Sequence, residues 1–230
     1  MSTHKGLPNY KEGTMAEVII PGPTGRLEGR YHKSKIHEAP VALVLHPHPM
    51  QGGTMNNKVA YVMYQTFVKL GFNVMRFNFR GVGKSEGTFD DGQGELSDAA
   101  SVLDWLQVEN PNAQGYWISG FSFGAWIAMQ LLMRRPELDG FVAASPPANM
   151  YDFNFLAPCP VSGLLIQGDD DDVVPLSSVE TLAKKLREQK GIEIGLDVIQ
   201  NADHFFAGRL PLVSQSMEAY LTDRDAVPDF

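Results

Sequence analysis

Apolar positions along the chain fall into two alternating kinds of segment. Val41 to Leu45 (Val-Ala-Leu-Val-Leu) is a short, unbroken apolar run, the pattern of a strand buried on both faces. Asn73 to Phe79, Tyr116 to Ser119, Gly140 to Ala144, Val161 to Gln167 and Glu193 to Ile199 are read as further strands. Between them lie stretches with helical spacing: Lys58 to Leu70, closed by Gly71; Gly94 to Val108, with Leu96, Ala99, Ala100, Leu103 and Leu106 on one face; Phe123 to Arg135, stopped by Pro136; and Leu176 to Lys190. Leu212 to Thr222 supplies a last helix. Two earlier strands, Glu17 to Ile20 and Arg26 to His32, flank a Pro-Gly-Pro-x-Gly turn. Two strands followed by strand–helix alternation predict a three-layer α/β/α sandwich, with a mostly parallel sheet and an antiparallel N-terminal edge strand. Residues 1–13 are polar and read as a loose leader, and 14–230 as one domain with no linker or repeat.

Composition narrows the function classes. With 19 basic and 27 acidic residues the net charge is -8, which argues against a general nucleic-acid binder. The cluster Arg26, Arg30, Lys33 and Lys35 reads as a solvated face. A single cysteine, Cys159, excludes an internal disulfide, and the N-terminus lacks the apolar core of a secretory signal. Gly115 to Met133 is uncharged and long enough to cross a bilayer, but its clustered glycines and serines fit a strand turning into a helix better. The expectation is a cytoplasmic protein with no membrane span. A homodimer is expected on base rates alone.

Candidate chemistry sits in the loops after the strands, where open α/β sheets place function. Gly120-Phe121-Ser122-Phe123-Gly124 has the form G-x-S-x-G and joins a strand to a helix with no spacer. Such a reversal strains the serine backbone, needs small neighbours two residues away on either side, and sets the hydroxyl at a helix N-terminus. A serine needs a base to be nucleophilic, and an acid to orient that base. Gly168 to Pro175 (Gly-Asp-Asp-Asp-Asp-Val-Val-Pro) follows a strand and offers four aspartates, among which the residues themselves do not choose. His204, in Asn201 to Phe206, comes later still, giving the chain order serine, acid, histidine that such an elbow requires. Asp203 is a rival orienter, but adjacent side chains diverge. Phe205 and Phe206 are expected to pack beneath the His204 ring.

The loop His46-Pro47-His48-Pro49 follows the strand Val41 to Leu45. Prolines lack an N–H, so His48 is its usable backbone donor for an oxyanion, and the amide of Phe123 is the second. Two competing motifs are weighed against this. Gly81-Val82-Gly83-Lys84-Ser85 lacks the first glycine of a phosphate loop, because that position is Asn78. His46 and His48, two residues apart at a strand end, form the alternative of a metal-dependent hydrolase. A non-catalytic binding protein on the same fold is the other alternative.

Taken with Arg76 to Gly87 (Arg-Phe-Asn-Phe-Arg-Gly-Val-Gly-Lys-Ser-Glu-Gly), the elbow, the late aspartates, the late histidine and the His-Pro-His-Pro loop make the chain resemble the α/β-hydrolase superfamily. His-Pro-His-Pro and Gly-Gly-Thr-Met-Asn-Asn are similar to those of a small capless bacterial subgroup of serine hydrolases. The resemblance covers residues 16–222 and implies that Asp171 is the triad acid. It further implies an acyl-enzyme mechanism on a small-molecule acyl substrate, a carboxylic ester first and a thioester or short peptide behind it, with no cofactor and no metal. Pro47 departs from a common glycine, and Asn78 from a common aspartate. Where larger relatives insert a cap, Pro146 to Pro160 is a short loop, whose Met150, Tyr151, Phe153, Phe155 and Leu156 are expected to line an open, partly apolar site or to pack on the sheet.

Overall fold

The computed structural model describes residues 11–156, 158–224 and 226–228; most of the expected leader lies outside the described residues. The strands are β1 (Met15–Gly22), β2 (Gly25–His32), β3 (Val41–Leu45), β4 (Asn73–Phe77), β5 (Tyr116–Phe121), β6 (Leu138–Ala144), β7 (Gly163–Gly168) and β8 (Ile194–Ile199). The helices are α1 (Lys58–Lys69), α2 (Gln93–Glu109), α3 (Phe123–Leu132), α4 (Leu176–Arg187) and α5 (Leu210–Asp223). All eight strands form one sheet in the order β1-β2-β4-β3-β5-β6-β7-β8. β2 runs antiparallel to both β1 and β4, and the strands from β4 to β8 are mutually parallel.

Side chains alternate across the sheet and feed two cores. Val41, Leu43 and Leu45 of β3 join a cluster completed by α2, α3 and α4, while Ala42 and Val44 face α1 and α5. This is why the inner strands read as unbroken apolar runs: both faces are covered. In the basic cluster near the N-terminus the two arginines pair with acids, Arg26 with Glu86 (2.6 Å) and Arg30 with Glu17 (2.8 Å). Among the described residues no helix is long and apolar enough to cross a membrane, and Gly115 to Met133 divides between β5 and α3.

Three elements end two or three residues earlier than the apolar pattern predicts, α4 among them, at Arg187 rather than Lys190. α3 closes at Leu132 rather than Arg135, because the residue before Pro136 is sterically biased away from helical geometry. β4 ends at Phe77: Asn78 makes one more in-register bond to β2, donating to the Glu28 carbonyl at 2.9 Å, and the Phe79 amide then leaves the ladder for the His46 ring at 3.1 Å.

The glycine-rich segment after β4 is anchored from within. Arg80, 5% exposed, donates from Nε and Nη2 to the fully buried Asp98 carboxylate at 3.0 and 2.7 Å, a bidentate pair joining the loop to α2. Asn78 gives its amide N–H to Glu28 Oε2 (2.9 Å) and accepts from Met55 N–H (2.9 Å). The departure from aspartate at this position therefore has a physical reason, since Glu28 is itself buried and supplies the negative charge. Asn78→Asp would set two carboxylates in contact away from water, and should cost about 2 kcal/mol at neutral pH. Adding Glu28→Gln should recover most of that loss. Urea unfolding midpoints of the single and double variants check it.

Candidate active site

Ser122 stands between β5 and α3 with φ 54 and ψ -121, a left-handed conformation that costs a non-glycine residue about 1–3 kcal/mol. Its N–H donates to the Ala144 carbonyl (2.9 Å), pinning the turn to β6. The flanking glycines have no room for a side chain. A Cβ on Gly120 would strike the Gly124 carbonyl, and one on Gly124 would strike the carbonyls of Leu45 and His46. The serine is 8% exposed and opens onto a cavity of about 400 Å³.

The loops beyond β7 and β8 bring two further residues to it. Ser122 Oγ lies 3.1 Å from His204 Nε2, and His204 Nδ1 lies 2.8 Å from Asp171 Oδ2. With Nδ1 donating to the carboxylate, Nε2 is left to accept the serine proton. Of the four consecutive aspartates only Asp171 is buried; the other three are exposed, and Asp169 instead accepts from the Asn201 N–H at 2.6 Å, tying the two loops together. Asp203 points away, capping its own turn by accepting from the Phe205 and Ala207 amides (3.1 and 2.8 Å).

Burial pushes the Asp171 carboxyl up, but the His204 ring, the Val174 N–H and the Gln167 amide outweigh that and hold it below the usual carboxylate range. Val173 and Val174 donate to Oδ1 at 2.9 and 2.7 Å. Gln167 Nε2 donates at 2.9 Å to the same oxygen that accepts the hydrogen bond from His204 Nδ1–H. Sequence reasoning missed Gln167. Its signal was a polar side chain ending the buried run Leu164 to Ile166, where an unpartnered amide would be costly. Phe121 was missed too: its ring lies 5.0 Å from the His204 ring. The two phenylalanines expected beneath that ring divide. Phe205 stands edge-on to it at 5.2 Å on the cavity rim, whereas Phe206 turns into the core with φ 52.

The backbone amides of Phe123 and His48 belong to residues lining the cavity, and neither donates to another group among the described residues. The 146–160 loop splits its apolar side chains between both expected uses. Phe153 and Leu156 are buried in the core, while Met150 and Tyr151 line the cavity, with Tyr151 stacked on Trp126 at 4.3 Å.

The histidine pair is not arranged as metal ligands. His46 is fully buried, with Nδ1 donating to the Pro47 carbonyl (2.7 Å) and Nε2 accepting from Phe79 N–H, so both ring nitrogens are engaged by backbone. His48 Nδ1 accepts from the Met50 amide (3.2 Å), and its ring packs at 4.9 Å from Phe89 and from Phe123.

A Ser–His–Asp hydrogen-bonded chain beyond the carboxyl ends of a parallel sheet defines a class, and comparison with known proteins agrees. Residues 25–207 match the family model described as X-Pro dipeptidyl-peptidase (S15 family). The chain belongs to the α/β serine hydrolases and, among them, to that family. ATU1826 of Agrobacterium tumefaciens, assigned to the α/β hydrolases, is 53% identical, with a TM-score of 0.89 over 94% of this chain and 100% of that one. XC6422 of Xanthomonas campestris, an α/β serine hydrolase without lid, is 30% identical, with a TM-score of 0.85 over 96% and 99%. Lysophosphatidylserine lipase ABHD12 of Bos taurus is 28% identical over 200 residues, a match spanning 70% of this chain but only 49% of the lipase.

Burial holds the His46 ring neutral, pushed down to about 4 from 6.5. The unfolded chain therefore binds more protons between those values, and stability that is complete above about pH 6.5 declines as pH falls toward 4. The expected loss from this residue is about 3 kcal/mol between pH 7.5 and pH 4. His46→Gln, which keeps an acceptor for Phe79 N–H without titrating, should remove that part of the slope in urea unfolding measured at both pH values.

Proposed function

We propose that the protein hydrolyses carboxylic esters through an acyl-enzyme, with Ser122 as nucleophile, His204 as base and Asp171 as its orienting acid. The observation that carries this reading is the continuous hydrogen-bonded path from Ser122 Oγ through the His204 ring to a carboxylate held in its charged form. Ser122 attacks the acyl carbon while its proton passes to His204 Nε2, and Asp171 stabilises the imidazolium. The tetrahedral oxyanion is taken by the amides of Phe123 and His48, the first of them at the N-terminus of α3. The imidazolium then protonates the departing alkoxide. Water, deprotonated by the same ring, attacks the acyl-serine, and collapse of that second adduct returns the proton to Ser122.

An ester is favoured over the substrates that the relatives' names suggest. A dipeptidyl-peptidase must hold a free ammonium group, and among the described residues no carboxylate side chain lines this cavity. Lysophosphatidylserine carries a phosphate and a carboxylate, and among the same residues no lysine or arginine lines it either. What does line it beside Ser122 and His204 is mostly apolar surface: Phe123, Pro147, Met150, Tyr151, Val173 and Phe205.

Ser122→Ala should lower kcat on a 4-nitrophenyl butyrate substrate by on the order of 10⁴-fold or more, with KM little changed, and should abolish labelling by a fluorophosphonate probe. Near-normal turnover by a well-folded Ser122→Ala protein would reject the scheme.

A further inference from the structure

The electrostatics around the cavity narrow the substrate class. None of the described residues that line it is a lysine, arginine, aspartate or glutamate. Besides the Tyr151 phenol, its titratable side chains are two histidines: His204, committed to the serine and to Asp171, and His48, whose ring burial holds below the usual imidazole range despite the nearby Glu95 and Asp91. Of the neutral polar groups, Asn57 has its carbonyl oxygen occupied by the first turn of α1, accepting from the Val59 and Ala60 amides.

Around this uncharged interior the fixed charge is mostly negative. Asp91 is exposed and sits between two residues in contact with the lining: Gly92, where a Cβ would strike the Trp126 ring that stacks on Tyr151, and, two positions earlier, Phe89, whose ring lies 4.9 Å from that of His48. Asp152 and Asp172, both exposed, adjoin the lining residues Tyr151 and Val173 in the chain. Among the described residues the single cation so placed is the exposed Lys58, beside Asn57. An anionic substrate would approach a net negative rim, then give up water to enter a site with no side-chain cation to replace it.

We propose that this site is selective for charge: it accepts uncharged esters with short or medium apolar acyl groups and turns away esters carrying a carboxylate or phosphate near the scissile bond. This rests on the ester reading above and goes a step past it, since acyl-transfer chemistry itself is indifferent to a remote charge.

The test is a matched pair, 4-nitrophenyl hexanoate and mono-4-nitrophenyl adipate, in which a terminal methyl is exchanged for a carboxylate at nearly constant size and with the same leaving group, the chain being long enough that the carboxylate does not close an anhydride ring on its own ester. Each rate is corrected for that ester's spontaneous hydrolysis. At pH 7.5 and low ionic strength kcat/KM for the adipate should be on the order of 10- to 100-fold lower. Asp91→Asn, which suits the left-handed backbone at that position (φ 48), should narrow the gap without changing hexanoate turnover, and so should added salt. Equal turnover of the two esters, or a preference for the adipate, overturns the charge proposal and leaves the ester reading standing. A gap that neither salt nor Asp91→Asn alters overturns the part assigned to the acidic rim. Failure to turn over either ester overturns both readings together.

Discussion

The architecture depends on a close approach of three backbone segments around Ser122. Strand β5 reverses into α3 with one residue between them, and the carbonyls after β3 crowd against the first turn of that helix. Only glycine at positions 120 and 124 permits this packing. The strain at Ser122 is held in place by its amide bond to Ala144 and by the burial of α3 between α2 and the sheet. Because the reversal fixes where the hydroxyl emerges, every other loop at that edge is arranged relative to it.

The remaining site residues arrive from the opposite flank of the sheet, and the fold spends polar contacts to hold them. The loops after β7 and β8 are fastened to each other by Asp169 to Asn201 and by Asp170 N–H to the Ala202 carbonyl. Asp171 is buried yet stays charged because amides and the imidazole surround it on several sides. Gln167 gives its side-chain amide to Asp171 and to the Val174 carbonyl, while its own oxygen has no partner among the described residues. An acceptor left unsatisfied is a cost that a purely structural strand end would avoid with an apolar side chain.

Much of this was legible in the chain. Unbroken apolar runs mark strands covered on both faces, and the serine motif marks the reversal because its glycines answer a steric demand. His204 was legible from its order after the acid. The choice of Asp171 was not available from the residues, since four adjacent aspartates are alike until burial separates them; it came from family resemblance, and the structure buries that one. Phe205 and Phe206 were read as a pair, but their backbones diverge at the positive φ of Phe206. Phe121 escaped notice because its contact with the His204 ring joins segments far apart in sequence, and Gln167 because the apolar run it ends does not show that the following turn folds the Asp171 carboxylate back onto its amide. The 146–160 loop was read as serving either the site or the core, and it serves both because its short 3₁₀ turn, Asn154–Leu156, drops one end into the sheet while the other stays at the cavity.

The brevity of that loop has a consequence for the fate of a bound acyl group. Among the described residues no α-helix stands between β6 and β7, and the outer edge of the cavity is made by side chains that are themselves exposed, Met150, Val173 and Phe205. In the mechanism proposed above, an acyl group on Ser122 would therefore have no inserted cap between it and the solvent. Water would then be its most abundant acceptor, and release as the free acid would be favoured over transfer to another alcohol.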